Sequence, residues 1–297
     1  MSSFDLCQLE DMMTTFIGQY KINRVVYSKG STVVANATSP TGRQVTLKYQ
    51  NTEHPSIMLN ALWRQEYEIL KNFDSKWVIK SLGLEQINHS YILVLENFNA
   101  QSLEQVIQQH DLSLNTKLQI ACLLSKAIGD IHAHDIIHRD IAPKNILINL
   151  DTLTLKFCDF ALSTQLARED AKTLDASQWG TLSYMSPELT GRTNLSIDYR
   201  SDFYSLGITL YELFLGRLPF ISDDPVSLLH DHIAKKPQPL SEADKSIPEV
   251  ISDIILKLLN KSPDGRYQSS YGLLQDLQHC LHESQTSEQI CTFKIGS

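Results

Sequence analysis

Apolar and polar residues alternate with a period of two over roughly the first third of the chain and with a helical period after it. Ile22 to Tyr27 and Thr32 to Ala37 are runs rich in β-branched residues that flank Lys29-Gly30-Ser31, and Ser39-Pro40-Thr41-Gly42 carries proline and glycine at its corners, which predicts a turn. In Gln44 to Tyr49, Val45 and Leu47 point one way while Thr46 and Lys48 point the other. Leu59, Leu62, Ile69 and Phe73 then fall on one helical stripe with Glu66 in its middle. Trp77 to Leu82 and Tyr91 to Glu96 return to strand composition. Residues 22–96 therefore read as three strands, a helix and two strands: a small sheet carrying one helix.

From about Ser102 the pattern is helical. Leu114, Leu118, Ala121, Leu124, Ile128 and Ile131 predict a long amphipathic helix, and Ile146 to Ile148 and Leu153 to Phe157 predict two short strands after it. Asp202 to Leu215 is apolar nearly all round, the mark of a buried helix. Pro225 to Lys235 is a shorter helix. Ser246 and Glu249 have the spacing of a capping box ahead of Ile251, Ile254, Ile255 and Leu258. Ser270 to His282 is a last helix, followed by a polar tail at 283–297. The pattern divides the chain into an N-terminal extension (1–19), a sheet-rich part (20–96), a hinge (96–100) and a larger helical part (101–282).

Composition narrows the class of protein. Of 297 residues, 42% are hydrophobic and 20% charged, enough apolar material for one large domain or two lobes. The net charge of -8 leaves no basic stripe for a nucleic-acid backbone. No run approaches the ~18 apolar residues that span a bilayer, and Met1 to Asp11 has three acids and no lysine or arginine, unlike a signal or transit peptide. Cys7, Cys122, Cys158, Cys280 and Cys291 are odd in number and scattered, which suits reduced thiols, so a cytoplasmic chain is expected. His132 and His134, like His230 and His232, are two apart, which on a helix points the rings away from each other. They are expected to be structural or solvated.

The chemistry is concentrated in His138-Arg139-Asp140-Ile141-Ala142-Pro143-Lys144-Asn145, followed after the strand pair by Asp159-Phe160-Ala161. Two acids and an amide at fixed spacing are hard oxygen donors suited to metal-bound phosphates beside a hydroxyl that must lose its proton. Glu66, on an apolar stripe, is costly to bury alone, and Lys48 on the preceding strand is a natural partner. The alternatives are that Glu66 reaches solvent or that Glu68 faces inward instead. Farther on comes Gly180-Thr181-Leu182-Ser183-Tyr184-Met185-Ser186-Pro187-Glu188.

In this order the segments resemble the H-R-D-x-x-x-x-N loop, the D-F-G motif and the substrate-docking segment of eukaryotic-like (Hanks-type) bacterial serine/threonine protein kinases. The resemblance covers roughly residues 20–282. It implies an α+β, bilobal fold with a small antiparallel sheet and one helix in the first lobe and a mainly helical second lobe. It further implies ATP and magnesium (Mg2+) as cofactors and a protein as substrate. By resemblance, Asp140 is the catalytic base, Lys48 holds the ATP phosphates with Glu66 fixing it, Asn145 and Asp159 hold the metal, and Thr181 bonds near Asp140. Ser28, Gly30, Lys48, Glu96, Phe98 and Leu147 are the implied nucleotide-binding positions, with Leu95 as gatekeeper. Arg266 is implied as the partner of Glu188, and Asp202 as the acid that bonds the backbone of the catalytic loop.

The sequence also departs from the family pattern. Ser28-Lys29-Gly30-Ser31-Thr32-Val33-Val34 keeps one glycine where the pattern has three, Thr46 replaces an alanine against the adenine, and Ala161 ends the D-F-G motif. Ala142 stands where Ser/Thr kinases carry lysine. Lys144, four residues after Asp140, either supplies that charge as tyrosine kinases do or is a surface lysine. Arg139 is typical of kinases switched by phosphorylation, and Ser163, Thr164, Thr173 and Ser177 are hydroxyls in the following loop.

Gly191-Arg192, the run from Ile197 to Gly207, Leu218-Pro219-Phe220 and the run from His232 to Pro237 look like the kinase domain that opens large bacterial hybrid sensors, ahead of ATPase and histidine-kinase modules. None of those modules follows, so the chain is a stand-alone relative or a fragment. Three functions compete: an active protein kinase, a pseudokinase acting as a nucleotide-binding or interaction module, and a small-molecule phosphotransferase. The docking segment weighs against the third, and the presence of Lys48, Glu66, Asp140, Asn145 and Asp159 favours the first.

Overall fold

The computed structural model describes residues 16–87, 89–165, 182–287 and 290–296. They form two compact units. The first runs up to Asp74 and includes Ile79–Phe98, and the second comprises Ser75–Val78 and the chain from Asn99.

The first unit is an antiparallel sheet of β1 (Phe16–Ile17), β2 (Tyr20–Lys29), β3 (Thr32–Thr38), β4 (Gln44–Gln50), β5 (Ser81–Ile87) and β6 (Ser90–Glu96), in the order β1-β2-β3-β4-β6-β5. One helix, α1 (Ile57–Leu70), packs on it. Strand alternation sorts the two faces. Val33, Ala35, Ala37, Val45 and Leu47 join Tyr20, Tyr49, Ile92 and Val94 in one buried cluster. Val34, Asn36, Thr46 and Lys48 share the other face, with Val34 opposite Lys48 and Asn36 opposite Thr46. The turn after β3 closes with the N–H of Gly42 donating to the Ser39 carbonyl at 2.9 Å, and Gly42 takes a left-handed φ of 81° that favours glycine. Helix α1 starts at Ser56, whose hydroxyl accepts from the Leu59 N–H. Its buried stripe is Trp63, Glu66, Ile69 and Leu70, whereas Leu59 and Leu62 are only half-buried and Phe73 lies beyond the helix.

The expected strand at Trp77–Leu82 is corrected. Trp77 and Val78 belong to the second unit, where the Phe157 N–H donates to the Trp77 carbonyl at 2.7 Å and Val78 bridges Phe157. Strand β5 starts only at Ser81. The β-branched and aromatic composition of Trp77–Val78 does go with pairing, but the partner, Phe157, is far away in sequence.

The second unit contains β7 (Gln101–Ser102), α2 (Leu103–Gln109), α3 (Leu114–Ala133), β8 (Ile136–Ile137), β9 (Ile146–Asn149), β10 (Thr154–Phe157), β11 (Thr164–Gln165), α4 (Arg200–Leu215), α5 (Pro225–Ala234), α6 (Leu240–Ala243), α7 (Glu249–Leu258) and α8 (Ser270–Thr286). The short strands pair as β10-β9-β7 and β11-β8. Helix α4 is buried on almost every side, as its composition predicts. Gly207 on it lies so close to α7 that an added Cβ would sit 2.8 Å from the Leu258 Cβ. The α+β class expected from the sequence is the one observed.

Two local expectations fail. Ser246 does not cap α7: its N–H and hydroxyl both donate to Asp244, and α7 begins after Pro248 with no side-chain cap. Helix α8 continues past His282 to Thr286 because later residues bind it. The Cys291 N–H donates to Glu283 and the Gly296 N–H to Asp276, and the Phe293 ring lies 4.4 Å from that of His279.

A buried imidazole lies on α5. Burial first, then the neighbouring Lys261 ammonium, push His232 down to about 4 from the usual 6.5. Between those values the unfolded chain binds more protons than the folded one, so this contribution is complete above pH 6.5 and is lost as pH falls through about 4. The expected loss is roughly 3 kcal/mol. Urea unfolding of wild type and His232→Phe at pH 7 and pH 4.5 checks it: the acid-induced drop should be smaller in the variant.

Candidate active site

In the first unit the chemistry starts from the sheet face opposite the core. Lys48 projects from β4 and its Nζ donates to Glu66 Oε2 at 2.8 Å. Both side chains are almost fully buried, 10% and 1% exposed. Such a pair is costly to desolvate and costlier to break, so it fixes the ammonium in place. Glu68 is exposed and pairs with Lys71 three residues on, which settles which glutamate faces inward. Thr46 donates its hydroxyl to Asn36 at 3.2 Å, a pair on the Lys48 face that the sequence did not reveal. Ser28 lies exposed at the end of β2, and Gly30 turns the chain into β3 with φ 59°. Leu95 is buried. Glu96 is tied to Lys80 twice, its N–H donating to the Lys80 carbonyl (2.9 Å) and its carboxylate accepting the Lys80 N–H (2.8 Å). Phe98, half-buried, closes the unit.

In the second unit, α3 and β8 deliver the chain to His138. Asp202, fully buried on α4, accepts the backbone N–H groups of His138 (2.8 Å) and Arg139 (2.9 Å). It also bonds His132 Nε2 at 2.9 Å. Burial works against this carboxylate, but the hydrogen bonds and positive potential of His132 and His138 overcome it and hold its pKa below the usual range. His132 is thus structural, as expected, and its partner is now known. With that anchor, Arg139 adopts a left-handed φ of 66°, and Asp159 one of 64°. Non-glycine residues held there cost about 1–3 kcal/mol each and gather at functional sites.

Asn145 spends its amide on Asp140, donating to the backbone carbonyl and to Oδ2, both at 2.8 Å. Lys144 Nζ lies 3.8 Å from the same Oδ2 and is partly exposed. The His138 ring packs on Phe160 at 4.6 Å and Phe157 at 5.7 Å, and Ser163 donates to the His138 carbonyl at 3.0 Å. Strand β11 pairs with β8, bringing the chain after Asp159 back beside the start of the loop. Ala142 is fully buried, and Leu147 lies in β9 between Ser102 and Lys156.

Downstream, Glu188 and Arg266 form a bidentate ion pair at 2.6 and 2.9 Å with both side chains 0% exposed. Tyr184 donates a short hydrogen bond to Glu212 on α4. Thr181, Thr173 and Ser177 lie outside the described residues. Each unit therefore carries a polar cluster on a rigid frame: Lys48 and Glu66 in the first, Asp140, Lys144 and Asn145 with Asp159 close by in sequence in the second. A family model described as the protein kinase domain matches residues 28–281. The chain belongs to the protein kinase family.

Relatives agree in kind. A probable serine/threonine-protein kinase of Clostridium acetobutylicum is 28% identical over 90% of this chain and 40% of its own length. Serine/threonine-protein kinase PknB of Mycobacterium leprae is 37% identical over 58% of this chain and 27% of its own. Hybrid signal transduction histidine kinase G of Dictyostelium discoideum is 34% identical over 57% of this chain and 7% of its own. The kinase domain thus spans less than half the length of these relatives. Among the described residues no helix is long and apolar enough to cross a membrane.

Proposed function

We propose that this kinase domain transfers the γ-phosphate of ATP to serine or threonine hydroxyls of protein substrates, itself included, in the cytoplasm. The observation that carries the reading is the pairing of Asp140 with Asn145. The amide fixes the carboxylate beside it, so one short loop holds a proton acceptor and an oxygen donor suited to a metal together.

The donor set fits magnesium. Among the described residues no group of three or more histidines, cysteines or acids is assembled into a metal site. An ion held by Asn145 and Asp159 would therefore take its remaining oxygens from phosphates and water, as magnesium commonly does. When bound, it supplies charge neutralisation at the phosphates. The protein's own groups do the rest. Asp140 orients the attacking hydroxyl and takes its proton. Lys48, held by Glu66, anchors the phosphates. By resemblance, the Glu96 and Phe98 backbones are the adenine-binding positions of the first unit and Leu147 that of the second, and Ser28 and Gly30 are the phosphate-covering positions. Thr181 supports Asp140 from the docking segment.

The pseudokinase alternative rests on departures from the pattern (the single Gly30, Ala142 and Ala161), and no geometry among the described residues favours it. By analogy with the hybrid histidine kinase relative, histidine-kinase modules are signalling partners we expect, and the resemblance to bacterial hybrid sensors adds ATPase modules. Because Lys144 reaches toward the carboxylate while Ala142 brings no charge, Lys144→Ala should lower kcat about 10-fold to 100-fold with little change in KM for ATP. Magnesium-dependent transfer to a mixed protein substrate, with a chelator control, tests the reading, and a wild-type rate in Lys144→Ala would return that lysine to the surface class.

A further inference from the structure

We propose that Lys29, at the tip of the hairpin joining β2 to β3, is a second phosphate-binding cation: it shares the Lys48 face of the sheet and offers the terminal phosphates of ATP a side-chain charge where a glycine-rich loop would offer backbone amides. This deepens the kinase reading above and rests on it.

The register of the sheet places the side chain. After the last irregularity, between Val25 and Tyr27, β2 and β3 pair evenly as Tyr27–Val34, Ser28–Val33 and Lys29–Thr32. The β3–β4 ladder continues these rows as Val34–Lys48, Val33–Tyr49 and Thr32–Gln50. Residues directly opposite one another across a ladder share a face, and neighbours along a strand alternate. Ser28 therefore goes with Val33 and Tyr49, which belong to the buried core cluster. Tyr27 and Lys29 go with Val34, Thr32 and Lys48 on the opposite face. Helix α1 packs against β5 and β6, at the other end of the strand order, and at the β2 end Tyr27 and Lys29 are exposed. Two strand spacings of ~4.8 Å and two residue rises of ~3.4 Å separate Lys29 from Lys48, which puts their Cα atoms about 12 Å apart. Two extended lysines at that spacing reach successive phosphates of one triphosphate.

The charge is uncommitted and the turn is short. Among the described residues of this unit, Lys48, Lys71 and Lys80 are held by carboxylates, and no ion pair engages Lys29. Strand β2 runs to Lys29 and β3 starts at Thr32, so only Gly30 and Ser31 connect them. Gly30, at φ 59°, is the one residue from Tyr20 to Thr38 with positive φ, and an added Cβ would meet nothing within 4 Å. Its part is to turn the corner. Where three glycines let a loop fold its amides around phosphate, this hairpin commits its backbone to the ladder up to the last pair. A charged donor makes a stronger bond to phosphate than a neutral amide, and lysine acts as a point charge that needs no fixed fork geometry.

The test is calorimetric titration of the full chain with ATP, ADP and adenosine, each with magnesium, in wild type, Lys29→Met and Lys29→Arg. Lys29→Met should raise the Kd for ATP about 10-fold, that for ADP by a smaller factor, and leave that for adenosine within about twofold. Lys29→Arg keeps the charge and should stay within about threefold of wild type for all three. The difference between wild type and Lys29→Met should shrink at high salt, which screens an exposed charge. A Kd for ATP in Lys29→Met within about twofold of wild type would make Lys29 a solvated surface residue and overturn the proposal. An equal loss for adenosine would also overturn it, because the hairpin as a whole and not a phosphate contact would then be damaged. Wild type that binds ATP without transferring phosphate fails as a kinase, while the titration still decides the role of Lys29. Wild type that binds no ATP ends both.

Discussion

Asp140→Asn lowers phosphoryl transfer by about 10³-fold while leaving ATP binding close to wild type. The substitution keeps the shape of the side chain and removes only its ability to accept a proton. The loop should hold, because Asn145 still donates to the Asp140 backbone carbonyl at 2.8 Å and Asp202 still accepts the N–H groups of His138 and Arg139. One contact changes character: the Asn145 amide that now faces Asp140 Oδ2 at 2.8 Å would face an amide in the variant. Single-turnover transfer and calorimetric titration with ATP separate the two effects. A variant that binds ATP and transfers phosphate at the wild-type rate would show that Asp140 is not the base.

Glu188→Gln and Arg266→Met should each destabilise the fold by about 3–5 kcal/mol, the largest stability effect expected of any ion pair among the described residues. Both side chains are wholly buried, and each leaves the other as an unpaired charge or an open donor set. The arginine loss is the more severe, because its guanidinium also donates to the carbonyls of Asn260, Arg200 and Lys261, which then lose a partner. Replacing both residues with apolar ones of similar volume should recover part of the loss, since desolvating the ions is itself costly. Urea unfolding of the two single variants and the double variant measures this. Additive losses in the double variant would contradict the account.

Much of the active-site frame was legible because it depends on short periods. The alternation of Val45 and Leu47 with Thr46 and Lys48 placed the lysine on the non-core face, whereas the choice between Glu66 and Glu68 stayed open in the sequence and is settled by the buried Lys48–Glu66 pair. The parts that could not be read locally depend on partners distant in sequence. Trp77 and Val78 have strand composition but pair with Phe157. Ser246 has capping-box spacing but is captured by Asp244, two residues away, before the helix starts. The spacing of His132 and His232 predicts only that they are structural or solvated, and the fold shows that one holds Asp202 and the other meets Tyr204. The Asn36–Thr46 hydrogen bond follows from the register of β3 and β4, and a one-residue slip of β4 would have put Thr46 on the core face, away from Asn36.

The most direct test is to incubate the wild-type chain with γ-labelled ATP and magnesium beside Lys48→Met, and then to identify the labelled amino acid. The account requires label on serine or threonine in the wild type and its loss in the variant, in which Glu66 would be left buried without its ammonium. Nucleotide bound by the wild type with no label transferred, or transfer undiminished without Lys48, would contradict it.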